Sequence, residues 1–274
     1  IPRVDDLKEL AIFVAGESDN RFDNSDYILF YAQGADKWGF DPKSDTYTYD
    51  KNIYDDKNYY YLKVDAQDGL RIRKSTIPSS PAESEYPYYD MLQRLEDDKI
   101  NLLGSENGAE GTGKEWYGDE LSGSSREKNY TSRFDFTSFV QEIPVSIEMI
   151  FAGRSENTTS VSLTFEKKVF IKNIQGVSTG DPEGVYARKT SIKEETVISE
   201  PNPQIKLNYM QTSSDSKGWI DYLQIVNGRE LVFNNTQLSF RNKRTKQFRT
   251  VSLTPKAIIS QIIWDVTDPF SPEE

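Results

Sequence analysis

Apolar residues along this chain come in short runs separated by acidic turns. Residues 10–14 (LAIFV), 27–31 (YILFY) and 59–64 (YYYLKV) are three such runs, and 70–73 (LRIR) alternates apolar with charged. Runs this short, rich in branched and aromatic side chains, predict strands rather than helices. The Asn and Asp residues between them bond their own backbone and favour turns.

A different period appears after residue 84. Tyr86, Tyr89, Leu92 and Leu95 recur every third residue, Ser84 stands at a capping position and Pro87 near the start. That spacing predicts a helix over 85–98, the one helix in the chain. Residues 75–83 before it (STIPSSPAE) read as a linker. Residues 103–129 after it hold Gly104, Gly108, Gly111, Gly113, Gly118 and Gly123 and read as a long loop.

Alternation then returns and holds almost to the end. Val145, Ile147, Met149 and Phe151 alternate, as do Val161, Leu163 and Phe165. Further strands fit 169–171, 185–189, 196–199, 205–210, 219–226, 238–241 and 257–264. Many short strands divided by turns predict two packed antiparallel sheets. Within 219–226, strict alternation sets Trp219, Asp221, Leu223 and Ile225 on one face and Ile220, Tyr222, Gln224 and Val226 on the other. The expected class is mainly β. A small N-terminal β domain (1–80) precedes a helix and Gly-rich connector (81–124). A jelly-roll-like antiparallel β-sandwich (125–267) follows, then a linker (268–274).

Composition sharpens what this fold can do. The 274 residues include no Cys and no His. Nucleophilic systems that move a proton through imidazole are excluded, as are Cys/His zinc sites and disulfides. Aromatics reach 12%, which argues against disorder. The net charge of −11 speaks against nucleic acid as a partner. The basic residues Arg241, Lys243, Arg244, Lys246 and Arg249 read as a solvated turn. No apolar run approaches the roughly 20 residues of a membrane span. The chain opens on Ile1 with no charged and then apolar leader, as a mature or excised piece would.

Two clusters invite chemistry. Glu115, Trp116, Tyr117, Asp119 and Glu120 combine carboxylates with aromatic rings. Rings of this kind stack on sugars, and paired carboxyls cleave glycosidic bonds when suitably spaced. The competing reading makes the rings core plugs and the acids a solvated face. Asp19, Asp23 and Asp26 offer the hard oxygens that Ca²⁺ takes, without the spacing of an EF-hand. Calcium is the one cofactor considered, and ordinary acidic turns are its rival; 50–56 is a second such stretch. The triplets at Asn129, Asn157 and Asn234 match a glycosylation signal too short to decide anything, and 111–114 (GTGK) lacks the spacing of a phosphate loop.

Five stretches taken in order carry a family resemblance: 27–38 (YILFYAQGADKW), 58–62 (NYYYL), 113–121 (GKEWYGDEL), 218–226 (GWIDYLQIV) and 263–269 (IWDVTDP). The series resembles the region upstream of the peptidase domain in the PorU family, the gingipain-like sortases of the type IX secretion system in Bacteroidetes. The likeness runs from about residue 10 to the end. It implies a surface-exposed cysteine peptidase that removes the sorting domain from secreted cargo and helps attach that cargo to lipopolysaccharide. It also places the catalytic Cys and His in an α/β domain beyond the last matching stretch, so no residue here inherits a catalytic role. The expected partners are that peptidase domain, cargo, outer-membrane secretion components or lipopolysaccharide. The expected location is the outer face of the outer membrane. The rival function is a carbohydrate-binding module, and a glycosidase using Glu115, Asp119 or Glu120 is the third.

Overall fold

In the computed structural model the described residues are 7–75, 88–102, 115–233, 237–243, 254–255 and 262–274. They fall into two compact units, one drawn from Ile1–Pro81 and Ala257–Glu274, the other from Ala82–Lys256. Both are built mainly from antiparallel strands, and the described helical residues are two short 3-10 turns. No helix among the described residues is long and apolar enough to cross a membrane.

The N-terminal unit pairs β1 (Ile12–Ala15) with β2 (Tyr27–Phe30), and β3 (Lys37–Asp41) with β4 (Thr46–Asp50). The second hairpin closes on Asp41, whose carboxylate accepts from Lys43 N at 2.9 Å and Ser44 Oγ at 2.8 Å. Register sets Trp38 opposite Tyr49 and Phe40 opposite Tyr47, with ring centroids 4.8 and 5.3 Å apart. Such cross-strand aromatic pairs stabilise a hairpin. Residues 59–64, expected as a strand, are irregular; Tyr59, Tyr61 and Leu62 face solvent. The expected linker at 268–274 is part of this unit instead. Ala11 N donates to Phe270 O at 2.9 Å, and Glu274 N to Arg73 O at 2.8 Å.

The second unit is a β-sandwich. One sheet runs β10 (Lys168–Ile174), β9 (Thr159–Phe165), β12 (Ile205–Met210), β7 (Glu127–Asn129). The other runs β11 (Arg188–Thr196), β8 (Val145–Arg154), β13 (Lys217–Glu230), β5 (Tyr88–Glu96), and β6 (Glu120–Ser122) shares the β5 edge of β13. A two-stranded parallel pair, β14 (Val232–Phe233) with β15 (Thr254–Pro255), lies outside both. Alternating residues of the two sheets meet between them: Ile147, Met149, Phe151 and Leu223 from one, Val161, Leu163, Leu207 and Tyr209 from the other. Phe134 and Phe136, expected to begin a strand, close the core from a loop.

The predicted helix over 85–98 is corrected. Residues 88–96 form β5, paired with β13 from Tyr88↔Glu230 to Glu96↔Tyr222. Leu92 and Leu95 would share a helix face, but as a strand they point to opposite sides of the sheet. A helix of this length is marginal alone, whereas a full antiparallel ladder satisfies every inward backbone group. The sandwich therefore takes in β5 and β6, which the expected 81–124 connector left out. Residues 238–241, also expected as a strand, are irregular. The expected strand at 257–264 lies partly outside the described residues, and 262–264 is not strand.

Strict alternation in β13 is corrected too. The register slips between Ile220 and Tyr222, so Asp221 is the extra residue of a bulge. Ile220, Leu223 and Ile225 all reach the core between the sheets. Trp219 lies on the opposite face, not with Leu223.

Candidate functional site

The stretch 115–120 is held by a short antiparallel contact. Tyr117 N donates to Ile100 O at 2.7 Å, and Ile100 N to Tyr117 O at 3.0 Å. Gly118 N donates to Ile220 O at 2.7 Å. A Cβ at Gly118 would lie 2.8 Å from the Asp97 carbonyl, so only glycine permits this approach. The segment thereby runs along the edge of β13 and leads into β6.

Alternation then separates the two rings. Tyr117 is fully buried in a small core with Leu102, Ala152, Ala187 and Trp219. Trp116 points away and is 40% exposed. On the rim of the small core, Tyr186 lies 6.2 Å from Trp219 between ring centroids, and the Arg154 guanidinium sits 4.4 Å from the Tyr186 ring.

Each nearby acid is tied to a fixed partner. Lys189 Nζ lies 2.7 Å from Glu115 Oε1. Asp119 accepts from Lys99 Nζ at 2.8 Å and Tyr130 OH at 3.1 Å. Burial pushes the Asp119 carboxyl up, but these two bonds outweigh it and hold it below the usual range. The same burial and the Asp119 charge raise the Tyr130 phenol. Glu120 accepts from the Trp219 indole N–H at 3.2 Å and Ser122 Oγ at 2.8 Å. A general acid must hold a proton at working pH, a role to which a carboxyl held below its usual range is poorly suited.

Beyond this stretch the outer face carries a polar ladder in strand register. Arg94, Gln224, Glu148 and Lys193 stand side by side across β5, β13, β8 and β11. Arg94 Nη1 donates to Gln224 Oε1 at 2.9 Å, and its guanidinium lies 3.4 Å from the Tyr222 ring centroid. Tyr222 OH donates to Glu148 Oε1 at 2.8 Å, which also meets Lys193 Nζ at 2.9 Å. Arg94 further pairs with Glu96. Beside this ladder lies a residue that reading the sequence missed. Burial, then the Glu96 charge, raise the Asp221 carboxyl to about 7 against the pull of Arg94, with Glu115 and Asp98 adding to the rise. The available signal was one acid inside an otherwise apolar strand.

The acidic loop is spent on its own backbone. Asp19 accepts from Arg21 N at 3.0 Å, Asp23 from Ser25 N at 3.1 Å, and Asp26 from Asp23 N at 2.8 Å. The Ser25 bonds hold Asp23 below the usual carboxylate range. Among the described residues no three Asp, Glu, His or Cys side chains gather as a metal site. The Gly-rich 103–114 and the residues 244–250 lie outside the described residues.

No known protein family matches the sequence, and no curated protein does. Solved structures do match the fold. The crystal structure of dimeric latent PorU from Porphyromonas gingivalis superposes with a TM-score of 0.66 over 86% of this chain, at 16% identity. This chain spans 21% of that one. The fold is thus PorU-like across most of its length. A carbohydrate-binding module, CBM36, in complex with calcium and xylotriose, matches 49% of this chain and 98% of its own at 12% identity, with a TM-score of 0.30. At that score the likeness carries no argument.

Proposed function

We propose that this chain is the non-catalytic accessory region of a surface-exposed, gingipain-like cysteine peptidase of the type IX secretion system. It positions the peptidase domain and contacts cargo or other surface components. One observation carries the reading: a PorU-like backbone over 86% of a chain that has neither Cys nor His. A scaffold of this kind supplies rigid surfaces rather than chemistry, and the acids of 115–120 are engaged accordingly. The proposed location is the outer face of the outer membrane, with cargo, outer-membrane secretion components and lipopolysaccharide as partners.

The test uses the parent protein. Its coding sequence is expected to continue into an α/β peptidase domain with a Cys and a His, and the 274-residue chain alone is expected to leave a sorting-domain substrate intact. Cleavage by the isolated chain, or a parent without that domain, defeats the proposal. Protease digestion of intact cells tests the location.

Trp116 favours a second reading as a carbohydrate-binding module, because a tryptophan 40% exposed beside a rigid core is placed to stack on a sugar ring. Titration with lipopolysaccharide-derived sugars, followed by tryptophan fluorescence, should saturate, and Trp116→Ala should abolish the change. A flat titration removes this reading. Melting in CaCl₂ against chelator tests calcium in the same samples, since a bound ion must raise stability.

A further inference from the structure

The sandwich guards its edges. β10 carries Lys168 and Lys172, and β11 carries Arg188, Lys189 and Lys193. Charges on an edge strand repel a foreign strand. β2 has no such guard. Its four residues, Tyr27–Phe30, include no charge and no proline, and each is exposed between 38% and 46%. One side of β2 pairs with β1; on the other, no backbone hydrogen bond joins it to any described residue. The apolar surface continues past the strand. The Phe30 and Tyr60 rings are 5.5 Å apart, and Tyr60 OH donates to Gln33 O at 2.7 Å. That contact brings the exposed Tyr59, Tyr61 and Leu62 alongside. Meanwhile only Ala11, Tyr47, Ile72 and Pro272 are buried apolar residues among those described in this unit. Exposed apolar residues gathered on a unit with so little core mark an interface.

The position of the last residues points to what covers it. Ile12 bridges Arg71 in parallel, and Arg73 bridges Glu273 in parallel. Ser75 N donates to Glu274 O at 2.6 Å. Residue 274 therefore lies in the same strand array as β2, three strand spacings in, or about 14 Å. A strand added outside β2 lies one spacing further, about 19 Å from residue 274, and about six extended residues cover that distance. A domain attached after residue 274 would meet β2 at millimolar effective concentration, an advantage no separate partner has. The fold also spans only 21% of the PorU chain, which leaves ample chain for such a domain.

We infer that the edge of β2 turned away from β1 docks an extended apolar strand of the peptidase domain following residue 274 in the same polypeptide. The inference rests on the proposed function for the identity of that domain. The main chain of the added strand pairs with β2, and its side chains pack on Tyr27 and Leu29 on one face and Ile28 and Phe30 on the other. Amide hydrogen exchange on the parent protein and on the 274-residue chain tests it without any substitution. The outward-pointing amides of Tyr27–Phe30 should exchange at least tenfold more slowly in the parent. Equal rates overturn the inference, and protection that grows with protein concentration assigns the edge to a second copy and overturns it too. A parent lacking the peptidase domain is read from its coding sequence and defeats the proposed function as well. An intact domain with an unprotected β2 defeats only this docking.

Discussion

The indole N–H of Trp219 donates to Glu120 Oε2 at 3.2 Å, so a fully buried ring is anchored by an acid at the sheet edge. Glu120 also meets Lys217 Nζ at 3.5 Å, one residue before the bonded pair Gly218↔Leu121. Glu120→Ala leaves the indole donor without its acceptor. Denaturant unfolding is expected to show a loss of about 1–2 kcal/mol. Glu120→Gln, which keeps an acceptor, should recover most of it.

Trp116 and Tyr117 are adjacent in sequence and opposite in burial. Tyr117→Ala opens a cavity against Leu102 and Trp219 and should cost about 3–5 kcal/mol. Trp116→Ala removes a ring that is 40% exposed and should cost clearly less, about 1–2 kcal/mol. Melting temperatures of the two variants separate them, and equal losses would contradict the described orientation.

The raised Asp221 carboxyl makes stability depend on pH with a definite sign. Between about pH 4 and pH 7 the folded chain keeps a proton that the unfolded chain has released. The stabilisation by the neutral acid is complete below the unfolded value and is lost as pH rises through about 7. Asp221→Asn removes the titration. The variant should gain on the parent sequence by about 1–2 kcal/mol between pH 5 and pH 8, after allowance for partial exposure. A difference in unfolding free energy that is the same at both pH values would refute the assignment.

Gly218 faces the core beneath the tip of the Phe151 ring. A Cβ there would lie 2.4 Å from Phe151 Cζ and 3.1 Å from Tyr209 Cγ, both rings fully buried. Gly218→Ala should destabilise the sandwich by about 1–3 kcal/mol through overpacking. Adding Phe151→Leu should cost less in the Gly218→Ala background than alone, a coupling a double-mutant cycle reads directly.

Alternation alone located much of the sandwich. The expected 205–210 is β12 to the residue, and Val161, Leu163 and Phe165 face the core as their period requires. The hairpin β3–β4 is legible as well, in the alternating rings of KWGFD and TYTYD around an Asp-Pro turn. Of the candidate site, the sequence singled out 115–120 but could not divide it. Which ring is buried depends on pairing with Ile100, and which acid is tied depends on Lys189, Lys99 and Trp219.

The sequence by itself determined the class of structure and the chemistry closed to it. Period-two patterning makes antiparallel sheets, and a chain without Cys or His has no thiolate or imidazole to offer. Tertiary structure decided the rest through partners remote in the chain. Residues 88–96 became a strand because β13 supplies a complete ladder, overriding a local period of three. One bulge at Asp221 turned Trp219 away from Leu223 and carried an acid into low-dielectric surroundings. Residues 262–274 joined the N-terminal unit through hydrogen bonds to Ala11 and Arg73. Local patterns fix which side chains alternate; only pairing across the sheet fixes which face they meet.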